Sequence, residues 1–151
     1  MRADLRPDGT FHILLIGAAR FRILEEIPRQ GDRLYRSARV ALLEEQRPDS
    51  DSDRERLARS RHELMALLTR FVRGLAGSIE DPARALASFE RLDAQHLVNA
   101  VAQSIPFRPV ERQQMLESDS LLLRFEIASD LLRFKLAEST GSDPGPGSLP
   151  N

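Results

Sequence analysis

Gly17-Ala18-Ala19-Arg20-Phe21-Arg22-Ile23-Leu24-Glu25-Glu26, followed after a Pro/Gly loop by Tyr35-Arg36-Ser37-Ala38-Arg39-Val40-Ala41-Leu42-Leu43-Glu44-Glu45, decides the fold class. In the first segment Phe21 and Ile23 alternate with Arg20 and Arg22, the period of two that marks a strand with one apolar and one polar face. The same period recurs less cleanly over residues 33–44, with Leu34, Ala38, Val40 and Leu42 on one face and Arg33, Tyr35 and Arg39 on the other. Such alternation directs Phe21 toward a core. Upstream, Pro7-Asp8-Gly9-Thr10 is a strong turn signal, because proline presets one turn dihedral and glycine supplies the positive φ that other residues resist. It predicts a hairpin with residues 1–6 and 11–17 as its arms, giving three or four antiparallel strands in all.

After a polar linker over residues 46–54 the period becomes helical. Ser52-Asp53-Arg54-Glu55 has capping-box spacing, and Leu57, Leu64, Leu68, Phe71 and Leu75 recur at helical intervals, which predicts a helix of about six turns. Asp81-Pro82 starts a second helix, with an N-cap residue and then the helical position where proline fits best. Leu97, Val98, Val101 and Ile105 form an apolar stripe that stops at Pro106. Pro109 opens a short helix containing Met115 and Leu116, and Asp119 can cap a final one in which Leu121, Leu122, Phe125, Ala128, Leu132 and Leu136 face inward. The Ser/Gly/Pro-rich end has few side chains to bury and is expected to be a tail. The expected organisation is therefore a partial β-sheet subdomain at 1–45, a helical bundle at 46–138 and a disordered tail at 139–151, an α+β fold.

Composition narrows the chemistry. At 151 residues with 41% hydrophobic and 30% charged side chains, the chain reads as one globular domain. A net charge of −1 gives no overall pull toward nucleic acid or anionic lipid. Residues 1–42 hold eight arginines against five acids, a net +3, and the remainder is net −4. The absence of cysteine removes disulfides and thiolate metal sites, and the cytoplasm is the expected compartment. Phe11–Ala19 has the apolarity of a short signal-peptide core, but Asp4 and Asp8 cancel Arg2 and Arg6 ahead of it, and it continues as a strand. No apolar run reaches the roughly 18 residues a membrane span requires.

Leu97-Val98-Asn99-Ala100-Val101-Ala102-Gln103-Ser104-Ile105, Glu111-Arg112-Gln113-Gln114-Met115-Leu116-Glu117, Asp119-Ser120-Leu121 and Leu131-Leu132-Arg133-Phe134-Lys135-Leu136 complete the pattern begun by the strands. In order and spacing these segments resemble the substrate-binding domain at the N-terminus of Lon proteases (the LON domain), in its stand-alone bacterial form. Arg112 stands where that branch usually has lysine, and Met115 where it has leucine. The resemblance spans nearly everything from Asp8 to Glu138 and implies a small antiparallel, PUA-like β-sheet followed by a C-terminal α-helical bundle. Members of the family open with a Pro- and Phe-rich segment, a strand pair and a helix ahead of the Asp-Gly turn. None of that is seen here, so the strands are expected to lack sheet partners and to leave an apolar face open.

What the resemblance implies is a non-catalytic module that binds polypeptide, either unfolded or protease-substrate proteins or a protease or chaperone partner, with no cofactor. A Lon-type peptidase uses a Ser-Lys dyad, whereas the sole lysine here is Lys135, with no matching serine motif. No Gly-rich phosphate loop is present either, so neither peptidase nor ATPase activity is expected. His62-Glu63 begins like a zinc-protease helix, but Ala66 occupies the position of the second histidine. His12 and His96 lie on other elements, and no set of three or four convergent metal ligands can be picked out. The carboxylate pairs Glu25/Glu26, Glu44/Glu45 and Asp51/Asp53 read as solvated charge. Catalytic, cofactor-binding and metal-binding residues are expected to be none, and no residue can be singled out for polypeptide contact.

Two alternatives stay open. Arg20, Arg22, Arg33, Arg36 and Arg39, with Phe21 and Tyr35 among them, have the residue types of an RNA-binding PUA-like sheet face, although arginine is frequent throughout the chain. A gene fragment without independent function is the other.

Overall fold

The computed structural model describes residues 2–14, 17–29, 31–46, 48–75 and 77–141. Four strands precede five helices: β1 (Arg2–Leu5), β2 (Phe11–Leu14), β3 (Arg20–Ile27), β4 (Ser37–Leu43), α1 (Asp51–Gly74), α2 (Pro82–Glu90), α3 (Ala94–Ser104), α4 (Pro109–Glu117) and α5 (Leu121–Gly141). The fold is α+β, as the change of hydrophobic period implies. The chain divides into two compact units, Met1–Glu44 and Glu45–Asn151.

Among the described residues the first unit holds a small antiparallel sheet structure of two ribbons, β1–β2 and β3–β4. β1 and β2 pair from Arg2↔Leu14 to Leu5↔Phe11 across the predicted turn. Gly9 adopts φ +80° there, and its N–H donates to the Arg6 carbonyl at 3.0 Å. Asp8 closes the turn by accepting from the Thr10 N–H at 3.0 Å and hydroxyl at 2.7 Å, and these bonds, the hydroxyl's first, hold its carboxyl below the usual aspartate range. In the second ribbon Phe21 pairs with Leu42 and Ile23 with Val40, after which the ladder slips so that Glu25 meets Arg39. Leu24 is the extra residue of a β-bulge.

The second unit holds the core. Leu64, Leu67, Leu68 and Val72 of α1, Leu97, Val98 and Val101 of α3, Met115 of α4, and Leu121, Phe125, Ala128 and Leu132 of α5 form one buried cluster with Ile105 and Phe107. α5 lies against α1, α3 and α4, so it is the element around which the others pack.

Several boundaries differ from the sequence reading. Ser50, two residues earlier than expected, caps α1, its hydroxyl accepting from the Asp53 N–H at 3.0 Å. The predicted second helix is broken into α2 and α3, because Asp93 turns to accept the His96 N–H at 2.9 Å and starts a new helix. For α5 the first-turn N–H of Leu123 finds the Ser120 hydroxyl, at 3.4 Å, in place of Asp119. α5 also continues through Gly141, so residues 139–141 extend the helix where a tail is expected; Leu131 to Ala137 supply enough helix formers to carry it that far. The rest of the expected tail, residues 142–151, lies outside the described residues. Strand β4 begins at Ser37, which leaves Leu34 and Tyr35 in the preceding loop.

Two expectations follow from this architecture. Asp93 accepts from both the backbone N–H and the ring of His96, and these bonds, the backbone one foremost, lower its pKa. A depressed folded pKa means stability that is present above the ordinary aspartate value near 4 and is lost as pH falls below it. Asp93→Ala should cost about 1 kcal/mol at pH 7 in urea denaturation, and the gap to the parent should close as the pH is lowered toward 3. Second, no described side chain of the first unit is buried, and a two-stranded ribbon alone is marginal in water. Hydrogen exchange should therefore show two tiers, with amides of α3 and α5 opening only near global unfolding and those of β3 and β4 exchanging through far cheaper local opening. Equal protection in both units would contradict this.

Candidate functional site

Strand pairing determines what the β3–β4 ribbon presents. Residues directly opposite one another in an antiparallel pair share a face, so the Phe21↔Leu42 and Ile23↔Val40 pairs make one face apolar. Arg20 and Arg22 fall on the other face. Phe21, expected to point into a core, is instead 53% exposed, and Leu42 is 72% exposed. The period of two is present as read; no described layer of the first unit covers the apolar side. Neighbouring exposed apolar side chains of this kind mark interaction surfaces. β3 and β4 each have one strand partner only among the described residues, so an outer row of N–H and C=O groups on each is open to a further strand.

At the turn end of the ribbon, residues Glu26–Arg29 and Arg33–Ser37 line a groove of about 560 Å3. Its wall is mixed. Leu34 is 94% exposed, the Arg33 guanidinium lies 5.8 Å from the centroid of the Tyr35 ring, and the Arg29 Nε–H donates to the Arg33 carbonyl at 2.6 Å. Gly31, at φ +60°, lets the loop reverse. Leu34, assigned from its spacing to the strand face, belongs to this groove, because β4 starts three residues later.

Of the five arginines raised as a nucleic-acid surface, two have carboxylate partners. Arg36 is ion-paired with Glu26, and Arg39 with Glu25 at 3.0 Å, so two of the five are neutralised on the ribbon itself. Phe21 is on the face away from Arg20 and Arg22. The carboxylates Glu25 and Glu26 are solvent-exposed, as expected, and each pairs with an arginine.

Glu45 departs furthest from expectation. It is part of the second unit, its side chain is only 12% exposed, and its two oxygens accept from Arg124 at 2.9 and 3.2 Å. Arg124, on α5, is 2% exposed and also donates to the Ser118 carbonyl at 3.2 Å and to Asn99 Oδ1 at 3.4 Å. The Gln46 N–H donates to the Asp119 carbonyl at 3.2 Å alongside. This network anchors the start of the helical unit to α5. A sequence signal for it existed: Arg124 occupies the i+3 slot of the stripe Leu121, Phe125, Ala128, where a charge must find a buried partner.

The remaining candidates sit in structural roles. His62 is exposed on α1 and Glu63 pairs with Arg133 of α5. His96 pairs with Asp93 at 2.8 Å, and His12 lies on β2. Among the described residues no cluster of three or more His, Asp or Glu could hold a metal ion. Lys135 places its ammonium 5.9 Å from the centroid of the Phe107 ring, and no described serine hydroxyl is hydrogen-bonded to it. Glu111 of α4, buried, accepts from the Arg108 N–H at 2.7 Å and from its Nε–H at 2.7 Å; the backbone bond first, then the side chain and the nearby charges of Arg108 and Lys135, lower its pKa. Lys135 thus contributes charge and a ring contact to α4 packing. No helix among the described residues is long and apolar enough to cross a membrane.

A family model described as the ATP-dependent protease La (LON) substrate-binding domain matches residues 2–133. Among curated proteins none matches the chain.

Proposed function

The chain belongs to the LON substrate-binding domain family, and from that premise we propose that it binds polypeptide, in the form of unfolded or protease-substrate proteins, without cutting it. The observation that carries the reading is the β3–β4 ribbon, whose face of Phe21, Ile23, Val40 and Leu42 is exposed. An extended segment laid on that face buries apolar side chains, and at an outer edge it gains main-chain hydrogen bonds in the manner of strand addition. Both contacts accept many sequences, since one is non-directional and the other reads only backbone.

Catalysis is assigned to no residue. Lys135 lies over the Phe107 ring and its charge helps lower the pKa of Glu111, and among the described residues no serine hydroxyl is hydrogen-bonded to it. The chain acts as a holding surface, and the cytoplasm is the proposed compartment.

The test is incubation of the full chain with a reduced and alkylated, chemically unfolded protein in the absence of ATP. The proposal expects co-elution on gel filtration, with the unfolded protein recovered at full length after hours. Binding through apolar contact should change little between 50 and 500 mM salt, unlike phosphate-backbone binding, which falls steeply. No co-elution overturns the binding reading, and fragments of the unfolded protein overturn the non-catalytic one.

A further inference from the structure

We propose that the groove at the turn end of the β3–β4 ribbon selects acidic polypeptide: a carboxylate of the bound segment docks on Arg29 and Arg33 while an adjacent apolar residue packs on Leu34 and Tyr35. This narrows the substrate class of the polypeptide-binding reading and rests on it.

The charge inventory of the groove comes first. Three guanidiniums, Arg29, Arg33 and Arg36, line it with one carboxylate, Glu26. Glu26 is engaged by Arg36, and Asp32, in the same loop, is not part of the lining. Among the described residues no carboxylate pairs with Arg29 or Arg33, so the groove keeps two positive charges in a chain whose net charge is −1. Their geometry suits a planar acceptor. The Nε–H of Arg29 is spent on the Arg33 carbonyl at 2.6 Å, which fixes that guanidinium and leaves its terminal nitrogens for a ligand. The Arg33 guanidinium lies over the Tyr35 ring, 5.8 Å from its centroid, and a guanidinium grips a carboxylate bidentately through its N–H edge.

The apolar part sits beside it. Leu34, at 94%, is the most exposed of the large hydrophobic side chains among the described residues. The groove continues the strand direction of β3 and β4, so a segment added along the ribbon would reach it with its next residues. Single-stranded RNA is the weaker occupant. A phosphate chain needs cations repeated along a track, whereas Arg36 and Arg39 are engaged with Glu26 and Glu25, and one face of the only tyrosine is already covered by Arg33.

The experiment uses the full chain and three labelled decapeptides that share their Leu, Phe and Val residues and carry Glu, Gln or Lys at the remaining positions, with a decauridylate of the same label, read by fluorescence anisotropy. The Glu peptide should bind roughly tenfold tighter than the Lys peptide, and R29E/R33E should reverse that order while R29K/R33K keeps it. Both positions are exposed, and should the reversed variant fail to fold, the order of the three peptides on the parent protein still decides. Equal affinity for the three peptides overturns the inference and leaves polypeptide binding standing. No binding of any peptide removes both. Tighter binding of the decauridylate than of the Glu peptide overturns it in favour of nucleic acid.

Discussion

Replacing Glu45 with alanine is expected to lower the unfolding free energy of the helical unit by about 3–5 kcal/mol. The side chain of Arg124 is 2% exposed and is paired with the carboxylate of Glu45, and it also donates to two neutral acceptors, the Ser118 carbonyl and Asn99 Oδ1. Removing the carboxylate takes this counter-charge from a buried guanidinium, and desolvation then weighs against the fold. The pair as a whole contributes much less than its breakage costs. Accordingly Glu45→Gln with Arg124→Met should recover most of the loss, since two neutral groups of similar size need no counter-charge. Urea denaturation reads both effects as shifts in midpoint at constant m. A loss below about 1 kcal/mol for Glu45→Ala, the range of exposed pairs, would mean that the network is solvated.

Phe125→Ala is the second large effect, expected at about 3–5 kcal/mol. Phe125 is fully buried on the helix that contacts α1, α3 and α4, so truncation opens a cavity in the core of the helical unit. The buried cluster it belongs to is built mostly of leucine and valine, and a close-packed interior relaxes only in part around a cavity. Because the described first unit buries no side chain, the whole loss should appear in the transition followed by helical circular dichroism. A loss under 2 kcal/mol would place Phe125 at a seam that can close.

The helical unit was legible because its signals are local. Asp81-Pro82 and Pro109 start helices where the sequence places them, and the stripes Leu64, Leu68 and Leu121, Phe125, Ala128, Leu132 are the buried faces. The break at Asp93 was missed since Arg91-Leu92-Asp93 contains neither glycine nor proline, and an aspartate inside an apolar stripe reads as an exposed helical position until its side chain is seen capping His96. In the first unit alternation gave the strands and the turn at Gly9, but a period of two says only which residues share a face. Whether that face is covered depends on a layer elsewhere, and for Phe21 and Leu42 no described residue of the first unit supplies it. Leu34 shows the same limit at one residue: its spacing fits β4, and the loop around Gly31 takes it out of register. Glu45 and Arg124 are far apart in sequence, so their pairing could be suspected from the charge in the stripe of α5 but the partner could not be chosen.

The central claim is that the apolar face of β3–β4 holds other chains. It is tested most directly by hydrogen exchange of the full chain with and without a saturating unfolded, alkylated protein, for the parent and for Phe21→Asp with Leu42→Asp. Slowed exchange in β3 and β4 on binding, with α3 and α5 unchanged, and loss of that slowing in the double variant at an unaltered thermal midpoint, is the predicted result. Unchanged exchange in β3 and β4 while the unfolded protein is bound, or slowing that survives both substitutions, would place the gripping surface elsewhere and contradict the account.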